Sequence, residues 1–172
     1  MSNFDTALIH TLLFEGGKVN DPDDPGGATN KGISLRFLAS IDEIDKYDYN
    51  NDGEITPIDI MNLKDSQIRT LYKEYFWLRK WDELDTKLAT KLFDFSVNMG
   101  QRQAIQLFQQ AVGCRAYDGV YGPKTHRYAL TVGGNNIDAY VQEAIKFYYN
   151  LCERRPASRK YLYGWMRRAY SC

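Results

Sequence analysis

The sequence predicts a mainly α fold, and three observations carry that expectation. Apolar residues recur at helical spacing through most of the chain, strand alternation hardly appears, and glycine or proline closes most of the periodic runs. At 172 residues, with 44% apolar and 14% aromatic side chains, the chain can bury a sizeable core, which excludes disorder.

The elements follow in order. Asn3 is expected to cap a first helix with Phe4, Leu8 and Leu12 on one face, stopped by Gly16 and Gly17. Residues 18–33, rich in Pro, Gly, Asp and Asn, read as a structured loop. Ile68, Leu71, Tyr72, Tyr75 and Phe76 mark the clearest helix, behind Asp65 or Ser66. Thr86 starts another through Leu88, Leu92 and Phe95 to Gly100. Ile105, Phe108 and Val112 form the next, closed by Gly113. Asn136 is expected to cap a long helix from Ile137 to Leu151, ended by Pro156, and Leu162, Trp165 and Met166 lie on a last packing helix.

Charge and cysteine usage exclude several classes. Lys plus Arg and Asp plus Glu are 22 each, so no global field draws the chain to nucleic acid. Three cysteines without C-x-x-C spacing do not make a disulfide framework, and two histidines in no ligand spacing do not make a zinc site. No apolar run reaches the length of a membrane span, and the N-terminus lacks the features of a secretory signal. The expectation is a soluble, monomeric protein made in the cytoplasm.

Glu15 is the strongest candidate for chemistry. It stands where the first helix ends, behind Leu12, Leu13 and Phe14, a setting in which a carboxyl serves as a proton donor. The two glycines after it let a bulky polymer approach the backbone. Asp24 follows in a loop fixed by Pro22, Pro25, Gly26 and Gly27, and paired carboxylates are the basic requirement of glycoside hydrolysis. Thr29 adds a hydroxyl that can orient a water.

The segment EGGKVNDPDDPGGATNKGIS resembles the signature of glycoside hydrolase family 108, the muramidases of phage endolysins and secretion-associated lysins. The Glu15, Asp24, Thr29 spacing is also similar to the Glu, Asp, Thr arrangement of T-even phage lysozymes. The resemblance implies a lysozyme-like helical fold, peptidoglycan glycan strands as substrate, and Glu15 as the acid that protonates the β-1,4 bond between N-acetylmuramic acid and N-acetylglucosamine. Asp24 and Thr29 would position or activate the water, with Asp21 and Asp23 as competitors for the second carboxylate. Asn20, Ser34 and Asn98 are candidate substrate-binding residues. The segments LFDFSVNMGQRQAIQLFQQAVG, DGVYGPKT and YLYGWMRRA resemble the predicted peptidoglycan-binding region that accompanies the family. The implied organisation is a catalytic region over 1–95 with an insertion at about 38–63, and a helical wall-binding region over 96–172 sharing its core. Access to the wall would then be through a holin or a secretion route.

Within the insertion, Asp48, Asn50, Asp52, Gly53 and Asp59 match EF-hand positions 1, 3, 5, 6 and 12, and the Glu54 carbonyl stands at position 7. A structural Ca²⁺ is expected there, with no cofactor in the chemistry. Two other classes remain: a non-catalytic wall-binding or calcium-dependent module, and a lytic transglycosylase, which needs only the acid.

Overall fold

A computed structural model of the chain describes residues 1–19, 27–41 and 43–171. The class is mainly α, as expected, and the chain divides into two compact units. The larger comprises Met1–Thr11 with Phe76–Cys172, and the smaller is Leu12–Tyr75.

The first helix, α1 (Asn3–Leu12), belongs to the larger unit through Thr11 and buries Phe4, Ala7, Leu8 and Thr11. Its cap is not Asn3. The Ser2 hydroxyl accepts from Asp5 N, while Asn3 Nδ2 donates to the carbonyls of Trp81 and Leu84, and its Oδ1 accepts from Thr86 Oγ1. A short amide side chain serves better as a clamp between helix starts when the neighbouring serine can take the orphan amide.

In the smaller unit, the segment read as loop contains three two-residue strands, β1 (Lys18–Val19), β2 (Thr29–Asn30) and β3 (Ile33–Ser34), paired antiparallel in that order. Strands this short show no alternation, so the pattern that reveals longer strands is absent. Four helices follow: α2 (Leu35–Ser40), α3 (Ile44–Tyr47), α4 (Pro57–Asn62) and α5 (Asp65–Tyr75). Buried Asn30 ties β2 to the end of α4 by donating to the Ile60 and Leu63 carbonyls. The α5 face with Ile68, Leu71 and Tyr72 is fully buried, which accounts for its strong periodicity.

The larger unit adds α6 (Thr86–Met99), α7 (Gln101–Ala111), α8 (Pro123–Tyr128), α9 (Ile137–Arg154) and α10 (Leu162–Tyr170). Asp85 caps α6 by accepting from Lys87 N and Leu88 N. The chain enters α9 through a π-turn, Ala129–Gly133, and a 3-10 turn, Gly134–Asn136. Asn136 stands at the N-cap position of α9, but its side chain makes no capping bond: its amide is turned back and donates to the Val132 carbonyl. Trp77 and Trp81 are buried with Phe4 and Phe93 in edge-on contacts, so they build core.

A buried polar cluster closes this unit. Asp94, wholly inaccessible, accepts from Thr11 Oγ1 at 3.0 Å and from the Arg168 guanidinium at 3.0 and 3.1 Å. Buried Lys91 donates to the Ala169 carbonyl, and Ser171 Oγ lies 3.2 Å from His10 Nε2. Together these bonds hold the last helix against α1 and α6. Burial pushes the His10 imidazole below its ordinary value; Asp94 opposes that, while Lys91 and Arg168 reinforce it.

Candidate active site

Glu15 lies three residues beyond the last turn of α1 and is partly buried. Leu13 is 73% exposed, so it does not cover the carboxyl. The group beside it is the backbone of Gly32. A Cβ placed on Gly32 would sit 2.8 Å from Glu15 Oε2 and 3.0 Å from its Cδ, and would overlap the hydroxyl of Tyr72. The carboxyl thus rests against a bare backbone with a buried phenol next to it.

The local sequence explains how that backbone is made. Lys31 and Gly32 are the two residues between β2 and β3, and both have positive φ, at 47° and 82°. This is the two-residue hairpin turn that matches strand twist and demands left-handed backbone at both positions. Glycine takes that conformation freely, whereas lysine is strained in it. Two bonds from α5 hold Lys31 in place: Tyr72 Oη donates to its carbonyl at 2.9 Å, and Asp65 Oδ1 pairs with its Nζ at 2.7 Å. The seat for Glu15 is therefore a hairpin tip fixed from one face of a single helix.

The other expected residues fall as follows. Thr29 is in β2, opposite Val19 on one side and Ser34 on the other, and is partly exposed. Ser34 caps α2, its hydroxyl accepting from Phe37 N at 3.2 Å. Asn98, in the larger unit, accepts from Tyr148 Oη at 2.7 Å. Asn20, Asp21, Asp23 and Asp24 lie outside the described residues.

Sequence reasoning overlooked Lys31, Gly32 and Tyr72. The glycine of the Lys31-Gly32 pair suits the second position of a tight hairpin turn, and the helical spacing of Tyr72 marks it for core. Tyr72 is core by burial, yet its hydroxyl reaches the turn.

The insertion forms a helix–loop–helix between α3 and α4. Asn51 and Gly53 adopt left-handed backbone, and the Asp48 carboxylate accepts from Asp52 N at 3.3 Å and Gly53 N at 2.8 Å. Asn50 Nδ2 donates to Asp52 Oδ2, and Asp52 Oδ1 accepts from Glu54 N. Burial opposes charge on Asp59, but bonds from Tyr49 N, Thr56 N and Thr56 Oγ1 outweigh it and hold the carboxyl below the ordinary range. Among the described residues, no three His, Cys, Asp or Glu side chains converge on a point that could hold a metal ion. The donors have the right chemistry for a hard cation, but Asp59, at the last position, is engaged in a helix capping box.

No described helix is long and apolar enough to cross a membrane. Cys114 and Cys152 are buried free thiols, and burial pushes the Cys114 thiol up, away from nucleophilic use. His126 lies against Glu83 and Tyr121.

Comparison with known proteins matches two stretches of the sequence, whose boundary near residue 100 differs from that of the two compact units. Residues 8–100 match the model described as glycosyl hydrolase 108, and residues 99–170 match one described as a predicted peptidoglycan domain. Among solved structures, that of Brucella abortus SagA is similar, at 25% identity and a TM-score of 0.67, covering 96% of this chain and 92% of that one. No curated protein sequence matches significantly.

Proposed function

The chain belongs to the glycosyl hydrolase 108 family, and on that premise we propose that it is an N-acetylmuramidase whose proton donor is Glu15. A hydrolase domain joined to a peptidoglycan domain has a cell-wall lytic role. The finer reading is cleavage of the β-1,4 bond from N-acetylmuramic acid to N-acetylglucosamine. Its main support is the seat of Glu15: the carboxyl leaves its helix and rests on the Gly32 backbone instead of extending into water.

In this reading Glu15 gives its proton to the glycosidic oxygen as the bond from C1 of the muramic acid breaks. Water adds to C1, and its proton passes to the second carboxylate, for which Asp24 is the candidate. Thr29, on the strand leading to the hairpin, orients that water. The Lys31–Gly32 turn keeps the donor in one place, so less of the barrier is spent on orientation.

We also propose that Asp48, Asn50, Asp52, the Glu54 carbonyl and Asp59 hold a structural calcium ion. The left-handed backbone at Gly53 and the amides gathered by Asp48 favour that loop form. Asp59 would exchange part of its capping role for the ion.

Product analysis tests the reaction. Purified wall digested with the protein is expected to yield muropeptides with reducing muramic acid ends. Anhydro-muramic ends would make it a transglycosylase, and no soluble product would make it a binding module.

A further inference from the structure

The larger unit holds a cavity of about 460 Å³, formed by the end of α7, the 114–122 turn, α8 and the π-turn after it. That volume is in the range of a small-ligand site. One side chain organises it. Gln109, 2% exposed, donates from Nε2 to Asp118 Oδ1 at 2.8 Å, Thr125 Oγ1 at 3.0 Å and the Val120 carbonyl at 3.2 Å. Its Oε1 accepts from Gly119 N at 3.0 Å. A single buried amide thus fixes both the turn and the start of α8, and the cavity is formed before any ligand arrives.

The charges around it are unbalanced. Arg115, Lys124 and Arg127 line the cavity, all exposed, and none makes an ion pair among the described residues. The acid lining it is Asp118, held ionised by the Val120 amide and the Gln109 side chain. Three cations against one acid favour an anionic ligand. The Cys114 thiol in its lining is buried, and that burial pushes its pKa up and disfavours the thiolate.

This charge pattern separates the two parts of peptidoglycan. The glycan strand is uncharged, because its lactyl groups are amidated by the peptide. The stem peptide carries carboxylates and, on its diamino acid, an ammonium group. We propose that this cavity binds the acidic stem peptide, with Arg115, Lys124 and Arg127 on its carboxylates and Asp118 on the ammonium group. The proposal rests on the reading that the chain acts on peptidoglycan, and it gives the second domain a peptide to recognise while the first cuts the sugar.

The test is calorimetric titration of the 172-residue chain with N-acetyl-L-Ala-γ-D-Glu-meso-diaminopimelyl-D-Ala at low salt. Binding is expected, weakening at least about tenfold in Arg115→Ala/Lys124→Ala/Arg127→Ala and with the fully amidated peptide, and falling as salt is raised. The single variant Lys124→Glu, at an exposed position, gives a second reading, and a thermal melt checks that each variant folds. Equal binding of amidated peptide, an unaffected triple variant, binding of chitotetraose in place of the peptide, or no binding at millimolar peptide would each overturn the assignment. Wall hydrolysis measured in parallel separates the two claims. Peptide binding without hydrolysis supports the cavity and sinks the hydrolase reading, and hydrolysis without peptide binding does the reverse.

Discussion

Replacing Gly32 by alanine places one methyl group against the carboxyl of Glu15 and the hydroxyl of Tyr72. The left-handed backbone at φ 82° costs an L-residue about 1–2 kcal/mol. The new Cβ, 2.8 Å from Glu15 Oε2, must also push the carboxyl aside or displace Tyr72 from the Lys31 carbonyl, which costs about 1 kcal/mol more for the lost hydrogen bond. The sum is roughly 2–3 kcal/mol of stability, read as a lower melting temperature in scanning calorimetry. A displacement of the proton donor by about 1 Å lowers turnover on the order of 100-fold. Gly113→Ala is the control, because Gly113 is also left-handed, at φ 68°, but has nothing within 4 Å of an added Cβ. It is expected to pay the backbone cost alone and to keep its turnover. If Gly32→Ala released reducing ends from purified wall as fast as Gly113→Ala, the hairpin would not be the seat of the catalytic acid.

Other predictions concern stability. Asp94→Ala or Arg168→Ala leaves one buried charge unpaired and should cost about 3–5 kcal/mol in urea unfolding, whereas a cost near zero would mean that the last helix is held by other contacts. His10, with its folded value pushed below 6.5, binds a proton more readily when unfolded. Its contribution to stability is therefore complete above about 6.5 and lost as pH falls below it, so His10→Gln should flatten the acid limb of melting temperature against pH; an unchanged limb would refute this. Chelation should lower the melting temperature, with calcium at 100 times its dissociation constant restoring about 2.7 kcal/mol. Identical melts with calcium and with excess chelator would remove the ion from the account.

Long helices with one buried face were legible, because burial of Ile68, Leu71 and Tyr72, or of Leu88, Leu92 and Phe95, imposes the period that sequence reading detects. Their caps were less so. Asn3 and Asn136 are good capping residues by type, yet tertiary partners claimed the first and the Val132 carbonyl claimed the amide of the second. The sheet was hidden because its strands are two residues long. Glu15 stood out by its place at a helix end, but the residues that seat it did not. Tyr72 has the spacing of a core residue and Lys31 that of a solvated charge, and only the fold brings them to one turn. Asn98 and Ser34, read as contacts for sugar, have partners of their own in Tyr148 and α2.

The most direct measurement compares the wild-type chain with Glu15→Gln for the rate at which reducing ends appear in purified peptidoglycan. Glutamine keeps the shape but has no proton to give, so release should fall by about 10²–10⁴-fold while the melting temperature stays nearly constant. Undiminished release by the variant would contradict the assignment of the proton donor and the muramidase mechanism built on it.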